Sequence, residues 1–227
     1  MMFKGFTNRT DEFFMAIRFN NNAQFFHENH DWYDEAVRQP LKALAADLAP
    51  AVELLDPTLE RRPERAVSRI NRDIRFSNDK SPYRDYMWIG FHRPRPERSG
   101  TLGVYFDISA EGSSYGMGIY DENRPLMNGL RRQLASDARP FLEAARPALA
   151  EFALCGRSFK RMKIPPSVPE EARAWYPLRG FWVEKDLSRA QISSHALVEE
   201  ITRGIELFTP LYRYIAGIEP VDDLGAI

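Results

Sequence analysis

Cysteine is almost absent from this sequence, which has one, Cys155, among 227 residues. A single thiol excludes an intrachain disulfide framework and a zinc site built from several cysteines, and it suits a reducing compartment. The sequence also has no run of about 18 uncharged apolar residues, the length that a membrane-spanning helix requires. Its opening segment lacks the apolar stretch of a signal peptide. We therefore expect a cytoplasmic protein that has no membrane partner.

Net charge is also nearly absent, because 31 Lys and Arg face 32 Asp and Glu. A chain this close to neutrality does not bind polyanions by bulk charge. The charges are nevertheless unevenly placed. Residues 11–60 hold three basic and ten acidic side chains, a net charge of −7, and residues 61–98 hold eleven basic and five acidic ones, a net charge of +6. The two segments either neutralise each other in the fold or mark an interaction surface.

Apolar residues make up 44% of the chain and aromatic residues 12%, which is typical of a packed globular core. Helical periodicity dominates both ends, and five strand-like stretches occupy the middle and late parts, at 86–91, 102–108, 115–120, 152–161 and 180–183. We predict an α+β fold with a mainly antiparallel central sheet, flanked by N-terminal and C-terminal helices. We expect one domain that spans residues 1–227.

The most unusual stretch is RINRDIRFSNDKSPYR, residues 69–84. On a helical turn, basic residues spaced three apart lie close together. A guanidinium group donates two parallel N–H bonds to a phosphate or a carboxylate. The spacing therefore predicts an anion-binding site whose cations are Arg69, Arg72, Arg75, Lys80 and Arg84.

Two carboxylates and a phenol accompany these cations. We expect Asp73 and Asp79 to orient the basic side chains or to act as an acid or base, and Tyr83 to donate a hydrogen bond. The alternative is an internal ion-pair network that only holds the loop together, since charges inside a fold need partners.

Gly116 and Gly118 are two residues apart in a predicted strand and share one face. Two missing side chains either leave a groove or let another backbone approach closely. We expect this face to lie against residues 72–84 and to form one wall of the anion site.

Other patterns have weaker support. Ser114 fits G-x-S-x-G and Ser77 fits S-x-x-K, but a strand follows the first and Pro82 cuts any helix after the second. His27 and His30 have helical spacing for a metal, yet no third ligand has a known spacing, so we expect no metal site. No motif indicates a cofactor, and we expect none. Cys155 is predicted to lie in the core.

The segment from Arg72 to Arg84 closely resembles the hallmark RDxRFSxDKxPYK of the bacterial and fungal family catalogued as domain of unknown function 2461, with Arg84 in place of Lys. Asn21-Asn22 and the opening residues 3–6 also fit that family. The family has no assigned chemistry, so the resemblance implies a shared fold and an important surface but no reaction.

These observations favour a cleft for a small phosphorylated or carboxylated molecule, and they leave open whether the protein is an enzyme. The alternative is a non-catalytic interaction protein that uses the basic surface of residues 61–98 for a protein or a nucleic acid. Nucleic acid is the less favoured partner, because no RNP, KH or helix-turn-helix signature is present. The sequence gives no indication of oligomeric state.

Overall fold

The computed structural model describes residues 2–75, 79–94 and 100–223. It has the predicted α+β fold with a five-stranded antiparallel sheet. The strands are β1 (Tyr86–His92), β2 (Gly103–Ser109), β3 (Ser113–Gly118), β4 (Ala153–Ser158) and β5 (Leu178–Leu187), in the order β1-β2-β3-β5-β4. Burial alternates along β1 and β2, which is why their apolar periodicity was readable from the sequence.

Helices precede and follow the strands along the chain. The N-terminal set is α1 (Asn8–Phe19), α2 (Ala23–Glu28), α3 (His30–Tyr33), a π-helical segment (Asp34–Arg38), α4 (Gln39–Leu55) and α5 (Pro63–Ala66). The later helices are α6 (Arg124–Ser136), α7 (Arg139–Leu149), a short 3₁₀ turn (Glu170–Ala172), α8 (Arg189–Ile192) and α9 (Ala196–Ala216). Pro40 stands at the start of α4, where its missing N–H costs no helical hydrogen bond.

The chain divides into two compact units. The first consists of Met1–Phe91, Tyr105–Tyr115 and Asp186–Arg203, and the second of His92–Val104, Gly116–Lys185 and Gly204–Ile227. Each unit is therefore assembled from three separate stretches of sequence. The expectation of one domain over residues 1–227 stays a prediction.

The core of the first unit is built largely from helical stripes. Phe13, Phe14 and Ile17 of α1 are completely buried, as the spacing of an amphipathic helix requires. The buried stripe of α4 consists of Leu41, Leu44, Ala45, Leu48 and Val52. Phe6 stacks almost parallel on Phe106, with ring centroids 5.7 Å apart.

The N-terminal segment of the first unit is held by its backbone. The Phe3 N–H donates to Asp47 at 2.8 Å, and the Phe3 carbonyl lies 2.9 Å from Nδ1 of His195. Gly5 has a φ of 109° and packs so tightly on the backbone of Ser193 that a side chain at this position would collide with it. These contacts require the glycine of the opening sequence.

The second unit packs β4 and β5 with α6, α7 and the later part of α9. Trp175 is its largest buried side chain and makes edge contacts with Phe141 and Phe181. Arg131 of α6 is 1% exposed, and its guanidinium donates to the carbonyls of Tyr176 and Leu178. Burial lowers the pKa of Arg131 from its usual value.

Candidate functional site

The motif segment folds as two antiparallel stretches of extended chain. Residues 67–72 run beside residues 82–89, joined by backbone hydrogen bonds of 2.8 Å from Ser68 to Trp88, Arg72 to Pro82 and Arg84 to Ile70. An extended backbone does not stack residues spaced three apart. Residues 69–75 contain no helix, so the predicted helical turn is wrong, and the shared anion site of Arg69, Arg72 and Arg75 stays a prediction.

The asparagine pair Asn21-Asn22, immediately before α2, anchors this segment. The Asn21 side chain donates to the carbonyl of Tyr83 and accepts from the Tyr83 N–H, both at 3.0 Å. Asn22 caps α2 by accepting from the Phe25 N–H at 2.9 Å. Phe26, one turn into that helix, stacks on the Tyr83 ring with centroids 4.3 Å apart. Tyr83 is thus a buried anchor of the segment.

Arg72 is bound within its own loop. Its Nη1 lies 2.9 Å from Asp79, and its Nη2 donates to the carbonyl of Tyr83 at 3.4 Å. Hydrogen bonds from the Ser81 side chain and backbone, followed by the charge of Arg72, lower the pKa of Asp79. Among the described residues, the buried Nε of Arg72 has no acceptor. This arginine holds the loop rather than a cleft.

Arg75 and Lys80 are also engaged locally. Arg75 donates to Asp73 through Nε at 3.0 Å and Nη2 at 2.8 Å. Both residues are exposed. The Lys80 ammonium donates to the carbonyl of Ile74 at 2.8 Å. Ser77, the hydroxyl of the S-x-x-K pattern, lies outside the described residues, as do its neighbours 76 and 78.

Arg84 closes the segment at its base. Its Nη1 donates to the carbonyls of Arg69 and Asn71, each at 2.6 Å, and its guanidinium lies 5.0 Å from the ring centre of Trp88. The side chain therefore bridges the two extended stretches and stacks on an aromatic ring. The contacts of the hallmark cations resemble the internal network that the sequence analysis kept as the alternative.

A pocket of about 350 Å³ lies beside the first extended stretch, wholly within residues 26–71 of the first unit. Its lining residues are Phe26, His30, Tyr33, Arg38, Lys42, Glu64, Val67, Ser68, Arg69, Ile70 and Asn71. Of the five cations predicted to bind an anion, Arg69 is part of this lining, whereas Arg72, Arg75, Lys80 and Arg84 are not. The volume falls in the range of small-molecule sites.

One wall of the pocket is a single stripe along consecutive helical turns. Its residues are Phe26, His30, Tyr33, Arg38 and Lys42, with steps of four, three, five and four residues. Steps of three and four keep residues on one face of an α-helix. The step of five crosses the π-helical segment, whose wider turn brings i and i+5 together. The π-helical segment therefore places Arg38 above Tyr33.

Two of the pocket cations have carboxylate partners. Arg38 donates to Asp34 at 2.6 Å, and Gln39 donates to the same carboxylate at 3.0 Å. Burial opposes ionisation of Asp34, but the hydrogen bonds from Gln39 and Arg38 outweigh it and lower the pKa of this group. Lys42 lies 3.6 Å from Glu64, whose side chain is 69% exposed.

Arg69 differs from these two cations. Within residues 2–75, 79–94 and 100–223, its side chain makes no hydrogen bond or ion pair. The buried apolar side chains of Val67 and Ile70 flank it along the pocket wall. Burial raises the pKa of Tyr33 to about 12, so its phenol is neutral at pH 7 and adds no charge. Among the described residues of the lining, Arg69 thus differs from Arg38 and Lys42 in having no carboxylate beside it.

The two glycines of β3 pack against backbone. A side chain on Gly116 would collide with the Val183 carbonyl, and one on Gly118 with the Phe181 carbonyl of β5. Of the two consequences expected from paired glycines, the structure therefore shows the close approach of another backbone. Their role as a wall of the anion site stays a prediction that these contacts do not support.

The remaining patterns have ordinary structural roles. Ser114 lies in β3, and its hydroxyl donates to Asp107 at 2.9 Å. The prediction that a strand, not a helix, follows this serine is confirmed, and a nucleophile elbow needs a helix there. Cys155 is only half-buried on β4, and its prediction as a core residue is wrong. In the part of the chain that the structure describes, no group of three His, Cys, Asp or Glu is placed to hold a metal.

Comparison with protein families assigns the chain. The family model described as "Conserved hypothetical protein (DUF2461)" matches residues 9–214. The chain therefore belongs to this family, as the resemblance of its hallmark segment indicates. No curated protein matches the chain.

The structure also bears on membranes. Over the residues that it describes, no helix has both the length and the apolar character needed to cross a bilayer.

Proposed function

We propose that this protein binds a small anionic molecule, phosphorylated or carboxylated, in the pocket between the helical stripe and residues 67–71. The observation that carries the proposal is Arg69, a guanidinium that lines the pocket and has no partner among the described residues. Arg69 is exposed, and its forked guanidinium can donate two parallel N–H bonds to a phosphate or a carboxylate.

The composition of the lining supports the same conclusion. The lining holds three cations, Arg38, Lys42 and Arg69. Arg38 has Asp34 as a carboxylate partner and Lys42 has Glu64, so one positive charge is in excess. The excess of positive charge raises the local concentration of anions and orients them on entry. Val67, Ile70 and Phe26 supply apolar surface, so the ligand has an apolar part as well as a charge.

The basic residues of segment 69–84 then have two different tasks. Arg69 holds the ligand, whereas Arg72, Arg75, Lys80 and Arg84 stabilise the segment that carries it. Asp73 and Asp79 pair with Arg75 and Arg72, and Tyr83 anchors the segment on Phe26. The proposal concerns binding, and no reaction step is assigned to these residues.

The alternative of a basic interaction surface has less support. Several of the cations on residues 61–98 have a carboxylate within 4 Å, as the pairs Arg61–Glu53, Arg62–Glu60, Arg72–Asp79 and Arg75–Asp73 show. Neutralised cations release few counterions and contribute little to nucleic-acid affinity. We infer a cytoplasmic location from the single cysteine, which suits a reducing compartment.

The test compares two arginines of segment 69–84. Thermal melting is measured with a panel of phosphorylated and carboxylated compounds for the wild type, Arg69→Met and Arg75→Met. A ligand stabilises the state it binds, so hits should raise the melting temperature of the wild type and of Arg75→Met but not of Arg69→Met. Equal stabilisation of all three proteins, or loss only in Arg75→Met, would refute the pocket.

A further inference from the structure

The pocket has one aromatic wall. The Phe26 ring lies 5.4 Å from that of Tyr33 and 5.7 Å from that of His30, measured between centroids. The other side of Phe26 is fixed by its stacking on Tyr83. Aromatic rings favour flat aromatic partners in edge or offset contact, worth about 0.5–1.5 kcal/mol beyond area burial. This wall therefore fits a planar ring better than a saturated one.

The charges of the pocket limit the charge of the ligand. Arg38 is paired with Asp34, and Lys42 with Glu64, so each cation has one negative charge beside it. Arg69 is the remaining cation. One uncompensated positive charge matches a monoanion, whereas a phosphate monoester near its second ionisation brings about two negative charges. A second negative charge would also meet the carboxylate of Glu64.

We propose that the ligand is an aromatic carboxylate, whose carboxylate lies on Arg69 and whose ring packs against Phe26, His30 and Tyr33. This inference rests on the proposed function and narrows it to one chemical class. A carboxylate accepts two parallel N–H bonds from one guanidinium, which is the geometry that a single arginine provides.

Four probes separate the ring from the charge. Benzoate has both, cyclohexanecarboxylate keeps the charge on a saturated ring, benzyl alcohol keeps the ring without charge, and phenyl phosphate replaces the monoanion by a group that is mostly dianionic. Dissociation constants are measured by NMR titration of the full chain. We expect benzoate to bind about fivefold tighter than cyclohexanecarboxylate, as the aromatic contact predicts, and tighter than the other two probes.

Three variants assign the effect to residues. Arg69→Met should weaken benzoate by about tenfold and leave benzyl alcohol unchanged, since a charged hydrogen bond is worth about 1.5–3 kcal/mol. Phe26→Leu should remove the preference for benzoate over cyclohexanecarboxylate. His30→Leu changes an exposed ring that does not stack on Tyr83, so it should reduce the same preference without disturbing the fold.

The outcomes separate this inference from the proposed function. Tighter binding of phenyl phosphate or of cyclohexanecarboxylate, lost in Arg69→Met, would overturn the aromatic carboxylate and leave an anion site. If benzoate does not bind while the binding of other anions in the thermal panel depends on Arg69, the aromatic carboxylate is likewise overturned and an anion site remains. If no anion depends on Arg69, both proposals fail.

Discussion

Asn21 pairs with Tyr83 as a second strand would, because its side-chain amide both donates to the Tyr83 carbonyl and accepts from the Tyr83 N–H at 3.0 Å. The two residues lie 62 positions apart in the sequence. This contact ties the hallmark segment to α2 and places Phe26 between Tyr83 and the pocket. The asparagine pair and the hallmark segment therefore meet in one structural contact.

Removal of this clamp should destabilise the protein. Asn21→Ala leaves the part-buried Tyr83 N–H without its acceptor and removes the shorter of two hydrogen bonds to the Tyr83 carbonyl. Leaving such a backbone group unpaired costs roughly 1–3 kcal/mol. Urea unfolding of Asn21→Ala should show a loss of at least about 1 kcal/mol. Gln24→Ala, an exposed change in the adjoining helix α2, is the control and should stay within about 0.5 kcal/mol of wild type. Equal stability of the two variants would contradict the clamp.

Gly5 should tolerate no side chain. Its φ of 109° and its contact with the Ser193 backbone both oppose a Cβ atom, so Gly5→Ala should cost about 2 kcal/mol or more in unfolding free energy. Gly112 has no heavy atom within 4 Å of the position of a Cβ, and Gly112→Ala should be nearly neutral. A neutral Gly5→Ala would mean that the opening segment does not pack on Ser193.

Arg131 should be needed for stability in a way that its neighbour is not. Arg131→Met removes the donors to the Tyr176 and Leu178 carbonyls inside the second unit, and we expect a loss of about 2 kcal/mol or more. Arg132 is exposed, so Arg132→Met should change the unfolding free energy by less than about 0.5 kcal/mol. Equal losses of unfolding free energy in Arg131→Met and Arg132→Met would contradict a stabilising role for the buried Arg131 hydrogen bonds.

Acid should weaken the Glu60–Arg62 ion pair as the pH falls from 4.5 to about 2. The hydrogen bond from the Arg62 side chain, more than any other cause, lowers the pKa of Glu60 from 4.5 to about 2. A carboxylate with a lowered folded-state pKa contributes stability above pH 4.5 and loses it as the pH falls towards 2. Glu60→Gln should therefore be less stable than wild type at pH 7, and the difference should vanish near pH 2. A difference that is the same at both pH values would contradict this.

Much of the fold could be predicted because it depends on local patterns. The strands β1 and β2 alternate buried and half-buried residues, and α4 follows a helical stripe that ends before Asp56. The extended form of residues 67–72 could not be predicted in this way. Its backbone is fixed by pairing with residues 82–89 and by Asn21, and a spacing of three residues carries no information about such partners.

The pocket escaped prediction for a related reason. One wall is formed only because the helix widens by one residue per turn in the π-helical segment before α4. The wall consists of Phe26, His30, Tyr33, Arg38 and Lys42. A helical period of 3.6 does not reveal the step of five between Tyr33 and Arg38. His30 was weighed as a metal ligand, whereas the structure places it in the aromatic wall. The sequence predicts Arg69 at an anion site together with Arg72, Arg75, Lys80 and Arg84. In the structure, these four side chains make their contacts within the segment itself.

The central claim is that Arg69 in the pocket, rather than Arg75 in the loop, receives the anion. The most direct measurement is ¹⁵N NMR of the arginine side chains of the full protein during titration with benzoate. We predict a saturable shift of the Arg69 Nε signal, identified by its absence in Arg69→Met, and an unchanged Arg75 signal. A saturable shift of Arg75 with Arg69 unchanged would contradict the account.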